Sequence, residues 1–283
     1  SNSLEDIYAE LAGLGILVRT QQEGATEGGG QELEQVLERY EKLLASLEDI
    51  RKYNNEEGSG IVVESHHILP HLLHHITKNC RGLWQLYEAV ATFLGVASVA
   101  LTLIILTYFF AVGGMTIRLV GGATGAAGCL GFLLGLILGT CVHELGHAVV
   151  LANNGIQIRR IGAAAGSFIG GFIEADEAAF WRVNPEVRLR FNAASIGTNT
   201  LVGVILAIVA ALAYSEPLLF VAAGVLFFGI TNSLPVRPLD GGWVYEDLVT
   251  RYASNPKAMR LLLKVRYAAL VAWLVLFIRS TLV

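Results

Sequence analysis

Long uncharged apolar runs dominate the second half of the chain. Residues 89–117, 119–142, 191–215 and 217–236 form runs of 29, 24, 25 and 20 residues without Asp, Glu, Lys or Arg. Each is long enough to cross a hydrocarbon core about 30 Å thick as an α-helix. A fifth run, 267–278, has only 12 uncharged residues, but 261–283 would span if Lys264, Arg266 and Arg279 snorkel to the interface. Basic residues set the orientation. Arg159, Arg160, Arg182, Arg188 and Arg190 lie between runs two and three, and Arg237, Arg251, Lys257, Arg260, Lys264 and Arg266 between runs four and five. The other side carries only Arg118 and Arg279. The pattern predicts an all-α polytopic membrane protein with about five transmembrane helices over 89–283, whose basic loops and N-terminus face the cytoplasm.

Residues 1–60 have a different pattern. Leu33, Val36, Tyr40, Leu43, Leu47 and Ile50 recur at alternating spacings of three and four, the seam of an amphipathic helix. Ser3 and Asp6 resemble a capping box for a shorter helix before it, and 21–30 and 54–60 read as flexible linkers. The expectation is an N-terminal cytoplasmic helical hairpin, with a coiled-coil or regulatory contact through residues 31–53. Residues 61–88 contain His66, His67, His71, His74 and His75 interleaved with Ile68, Leu72, Leu73 and Ile76. An amphipathic helix lying at the membrane surface accounts for that mixture. No carboxylate or Cys converges there to suggest a second metal site.

Composition agrees. The chain is 54% hydrophobic with a mean hydropathy of +0.56, which fits a multi-pass membrane protein. A net charge of −4 argues against a nucleic-acid partner. Cys80, Cys129 and Cys141 form no C-x-x-C pair and read as reduced packing residues. The opening Ser1-Asn2-Ser3, without Met, reads as a scar or truncation.

Against this apolar background the sequence His143-Glu144-Leu145-Gly146-His147 is costly. Each ionisable group at membrane depth costs about 2.5–3.5 kcal/mol even on lenient insertion scales. Residues four apart share one helical face, roughly 6 Å apart along the axis. His143 and His147 can therefore present imidazole nitrogens to one metal ion, with Glu144 beside them as a general base; this is the H-E-x-x-H arrangement of zinc hydrolases. The bland alternative is two buried histidines hydrogen-bonded to neighbouring helices. Asn153-Asn154-Gly155 marks the helix stop, which puts His147 about 9 Å inside the cytoplasmic end. The third ligand stays open between the cluster Glu174, Asp176, Glu177 and the lone Asp240. Asp240-Gly241 also suits a turn or helix N-cap. Pro235 and Pro238 would break the preceding helix and let Asp240 turn back toward the bundle. Gly131, Gly135 and Gly139, every fourth residue of run two, would admit another helix at close approach.

With these motifs the chain resembles the site-2 protease family of intramembrane zinc metalloproteases, in its archaeal and animal-like branch without a PDZ insertion. The family pairs an intramembrane H-E-x-x-H with a distant N-x-x-P-x-x-x-L-D-G, which stands here as Asn232 to Gly241. The resemblance covers roughly residues 89–242. It implies Asp240 as the third ligand and Asn232 near the reacting carbonyl. Residues 188–199 look like the family's third-helix start, ending on Asn199 as a second substrate-facing or transition-state residue. Where that start usually reads Ala-Gly-Pro, this chain reads Ala194-Ser195-Ile196. Gly170-Gly171-Phe172-Ile173-Glu174 resembles the family's membrane-associated hairpin, so a small β or re-entrant segment is expected among the helices.

Two His and one Asp would leave a fourth zinc position for water, whose pKa the metal lowers to about 7, and Glu144 can take its proton. The expected activity is hydrolysis of a peptide bond within or near the transmembrane helix of a membrane-anchored substrate, close to the cytoplasmic face. The segment 161–173 could offer a strand edge to the unwound substrate. Two other functions fit the same motif: a metalloprotease of peptides or lipid-modified tails with Glu174 as third ligand, and a metal-binding transporter or scaffold without hydrolytic activity.

Overall fold

A computed structural model describes residues 61–65, 68–111, 125–165, 169–176, 179–180, 183–253 and 255–281, together with Glu38 and Lys42. The expected N-terminal hairpin, the contact through 31–53, and His66, His67, Arg118, Glu177 and Arg182 lie outside the described residues, Glu38 and Lys42 apart. Those two are helical and paired at 2.7 Å, one turn apart.

The elements run β1 (Ile61–Ser65), α1 (Ile68–Asn79), α2 (Arg81–Ala111), α3 (Ala126–Asn153), β2 (Ile158–Ala165), β3 (Ile169–Ala175), α4 (Pro185–Leu212), α5 (Glu216–Asn232), α6 (Asp240–Tyr252) and α7 (Pro256–Thr281). The protein is mostly helical, with one small antiparallel sheet. Among the described residues three helices are long and apolar enough to cross a membrane: Arg81–Tyr108, Ala126–Asn153 and Pro185–Leu212. Their outer faces carry large apolar side chains, among them Ile104, Ile137 and Ile208 at 65%, 63% and 54% exposure. Such a surface suits lipid and would be a liability in water.

The boundaries differ from the uncharged runs for identifiable reasons. Helix α2 starts before residue 89 because Glu88, which ends the uncharged run, is buried in the protein. It accepts a hydrogen bond from Asn153 Nδ2 at 2.8 Å and lies 3.6 Å from Arg190. The helix stop at Asn153-Asn154-Gly155 falls where expected, with Gly155 at φ +70°, the left-handed C′ position that glycine favours. Helix α4 starts at Pro185, behind an Asn184 cap whose side chain accepts from the Glu186 N–H at 2.9 Å. The fourth run is helical only through α5, whose 17 residues make it a shorter apolar helix than the 20-residue span expected. Pro235, which lacks an N–H and restricts the residue before it, keeps Ser233–Val236 out of the helix. Helix α7 covers most of the fifth run.

The sheet corrects the reading of residues 61–88 as helix throughout. Ile61-Val62-Val63, a β-branched run suited to a strand, opens that segment as β1, which pairs antiparallel with β2 (Ile61 with Ala165, Ser65 with Ile161). The sheet order is β1-β2-β3. In α1 the histidines His71, His74 and His75 are exposed, as are Leu69, Leu72 and Ile76 on another face. The three cysteines are free, as expected, but exposed and outside the core.

Helix α4 is the centre of the bundle, packing against α2, α3, α5 and α6. Val99 of α2, Ala193 and Ile196 of α4, and Val244 of α6 share one buried cluster. The glycine stripe of α3 meets the close neighbour it predicts. A Cβ on Gly135 would lie 2.2 Å from the Val221 carbonyl oxygen of α5, and one on the facing Gly224 would lie 2.4 Å from the Phe132 carbonyl oxygen. Gly135→Ala should therefore force α3 and α5 apart and lower the melting temperature in detergent, since overpacking typically costs about 1–3 kcal/mol. Gly82→Ala, where an added Cβ meets nothing within 4 Å, is the matched control and should not lower it.

Candidate metal centre

Two helices deliver the centre. His143 and His147 lie one turn apart on the buried face of α3, and Asp240 is the first residue of α6. The chain between α5 and α6 folds tightly enough that Gly241 and Gly242 lie against the backbone of Ser233 and Val236, 2.4 Å from where a Cβ would stand. Side chains larger than glycine there would push Asp240 away from α3. Farther along, Arg237 stacks on the Trp243 ring at 3.6 Å and pairs with Glu246 at 2.7 Å, while Glu246 also pairs with Arg266 of α7 at 3.0 Å. The start of α6 is thereby anchored on its outer side.

Asp240 Oδ2 lies 2.8 Å from His143 Nε2 and 3.1 Å from His147 Nε2. One ligand atom from each residue falls within 4.8 Å of the others, and among the described residues this is the one such group of three. Both imidazoles are buried, and Asp240 is largely so. Their far sides decide what the near sides can do. His143 Nδ1 sits 2.9 Å from Asn199 Oδ1, and His147 Nδ1 sits 3.0 Å from the Phe191 carbonyl oxygen. Both partners can only accept, because the Asn199 amide nitrogen donates to the Gly139 carbonyl at 2.8 Å. Each ring therefore carries a proton on Nδ1 and turns Nε2, the nitrogen left to serve as a ligand, toward Asp240. Two imidazole nitrogens and a carboxylate oxygen meeting at one buried point form a ligand set that a divalent cation such as zinc satisfies. The residues present fit that group.

The aromatic surroundings restrict the rings further. Phe228 packs edge-on against His143 at 5.3 Å between centroids, and Phe191 lies 4.1 Å from His147. Gly146, inside the motif, lets α4 approach: a Cβ there would lie 2.7 Å from Ser195 Cα.

Glu144 lies under the sheet. The alternation of β2 and β3 puts Ile161, Ile173 and Gly171 on one face and Arg160, Phe172 and Glu174 on the other. Ile161 and Ile173 pack on the core, and Gly171 passes over Glu144 so closely that a Cβ would lie 2.5 Å from Glu144 Cγ. Among the described residues, none pairs or hydrogen-bonds with the Glu144 carboxylate. On the opposite face Arg160 binds Glu174 at 2.5 Å and Glu64 of β1 at 3.1 Å. Partial burial opposes the Arg160 charge, but the hydrogen bond and charge of Glu174, with Glu64 behind it, outweigh that and raise its pKa.

The structure thus brings His143, His147 and Asp240 together, with Glu144 adjacent in the chain. Glu174, the rival third ligand, is held on the outer face of the sheet by Arg160, and Asp176 lies 3.9 Å from Arg159. Asn199 is fully buried, with both ends of its amide engaged behind His143. Asn232 ends α5, its amide donating to the Phe228 carbonyl one turn back at 3.0 Å. The sequence reading missed two contacts: the Phe191 carbonyl behind His147, which leaves no side-chain signal, and Ser195, which binds Asp240 Oδ2 at 2.6 Å. Comparison of the chain with protein-family models, with curated proteins and with solved structures finds no match.

Proposed function

We propose that this protein is an intramembrane zinc metalloprotease of the site-2 protease type, cutting a membrane-anchored protein within or near its transmembrane helix, close to the cytoplasmic face. The observation that carries this reading is the orientation of the two imidazoles. Their Nδ1 atoms are held by Asn199 and Phe191, their Nε2 atoms converge on Asp240, and a carboxylate without a partner among the described residues, Glu144, stands next to them. Three possible ligand atoms within 4.8 Å of one another at a buried point are the arrangement a catalytic zinc requires.

Zinc held by His143, His147 and Asp240 would supply Lewis acidity and bring the pKa of water to about 7. The chain's own part is proton transfer and positioning. Glu144 accepts the proton of the attacking water as the new C–O bond forms, then gives it to the amide nitrogen as the C–N bond breaks. Asn199 and the Phe191 carbonyl keep the imidazoles in one tautomer and one orientation. Gly171 leaves room for the Glu144 side chain beneath β3. In the order β1-β2-β3 the outer edge of β3 is the one beside the site, and it suits pairing with an unwound stretch of substrate.

The test is to co-express membrane-anchored candidate substrates with the protein and map the products by mass spectrometry. Cuts are expected in the cytoplasmic half of the substrate span, within about 15 Å of that face. Gly, Asn or Pro near the bond should favour cleavage by weakening the helix that shields the carbonyl. Replacing them with Leu should slow the cut and leave binding intact. Cuts mapped to the outer half would refute the orientation drawn from the arginines.

A further inference from the structure

We infer that Ser195 is a positioning residue of the metal centre, fixing the rotation of the Asp240 carboxylate so that one oxygen points at the two imidazoles. The inference rests on the metal-centre reading above and adds a residue to it. Ser195 is fully buried on α4, and its Oγ lies 2.6 Å from Asp240 Oδ2 and 2.7 Å from the Asn192 carbonyl oxygen. A hydroxyl has one proton. Of two acceptors at similar distance the carboxylate takes it more strongly, because the bond is charge-assisted. The oxygen so held is the same Oδ2 that both Nε2 atoms face.

Position along α4 strengthens the case. Phe191, Ser195 and Asn199 follow one another at four-residue spacing, which keeps them on one side of the helix. Each addresses a different ligand: the Phe191 carbonyl faces His147, Ser195 faces Asp240 and Asn199 faces His143. One ridge of α4 therefore orients all three, and Ser195 is its middle contact. The carboxylate has most need of it. An aspartate's terminal torsion is broad, and at the first position of α6 the carboxylate can also turn toward the free N–H groups of its own helix. The Ser195 hydroxyl is the contact outside the ligand set that holds the carboxylate rotated toward the histidines.

Purified full-length wild type and Ser195→Ala, in detergent, should be titrated with zinc against a chelator of known affinity and, separately, loaded with cobalt for visible spectroscopy. Ser195→Ala should bind zinc about 10–100-fold more weakly, the usual consequence of losing a partner to a ligand, and its cobalt bands should shift. Should Ser195→Ala not accumulate in the membrane, Ser195→Gly, which also lacks the hydroxyl, should show the same loss of zinc affinity. Zinc affinity within twofold of wild type and an unshifted cobalt spectrum would overturn the inference alone. Wild type that binds zinc but cuts no substrate would sink the protease reading alone, and wild type that takes up no metal would sink both.

Discussion

Glu144→Gln is expected to retain zinc and lose proteolysis by about 10²–10⁴-fold, the usual contribution of a general base. Glutamine keeps the shape of glutamate, so the side chain still fits beneath Gly171, where a Cβ would already be too close. Its amide cannot accept the proton of an attacking water. His143, His147 and Asp240 keep their mutual contacts, because none of those contacts includes Glu144. The measurement is paired: metal content by elemental analysis, and turnover of a membrane-anchored substrate in detergent. Full turnover with zinc retained would eliminate Glu144 as the base. A scaffold or transporter needs the ligands but not the base, so unchanged cellular function in this variant would favour that reading.

Much of this centre was legible in the sequence because its signals are short-range. Residues at i and i+4 share a helical face whatever surrounds them, so the histidine pair needed only the apolar run that contains it. The stop at Asn153-Asn154-Gly155 was legible for the same reason, since the left-handed residue after a helix favours glycine. Gly131, Gly135 and Gly139 announced a close neighbour without saying which helix it would be. What the sequence left open depends on contacts across the fold. The choice between Glu174 and Asp240 turns on Arg160, whose cross-strand pairing with Glu174 exists only once β2 and β3 are in register. Glu88 hid the start of α2 because a charge inside protein and a charge at a membrane boundary look alike in a hydropathy run. The strand at Ile61–Ser65 is stable only through its pairing with β2, about 100 residues away, and no periodicity within residues 61–88 reveals it. Ser195 is the clearest case: a serine in an apolar helix carries no signal until α6 is packed beside it.

Asp240→Ala should lose the metal itself, a larger change than any substitution outside the ligands. Asp240 supplies the one carboxylate oxygen toward which both Nε2 atoms turn, at 2.8 and 3.1 Å. Its removal leaves two imidazoles, too few for a catalytic zinc site, which takes three protein ligands. Glu174 cannot substitute without leaving Arg160 and the outer face of the sheet, so Glu174→Ala should keep the wild-type zinc content. Heat separates the two cases. A ligand bound only by the folded state raises its stability as ligand concentration rises, so added zinc should raise the melting temperature of wild type, Glu144→Gln and Glu174→Ala. It should leave Asp240→Ala unmoved. Proteolysis should be absent in both Glu144→Gln and Asp240→Ala, for different reasons: the first holds the metal without a base, the second holds the base without a metal. Asp240→Ala that still binds zinc as tightly as wild type, or Glu174→Ala that loses it, would move the third ligand from α6 to the sheet and reopen the reading of these residues as a protease of peptides or lipid-modified tails.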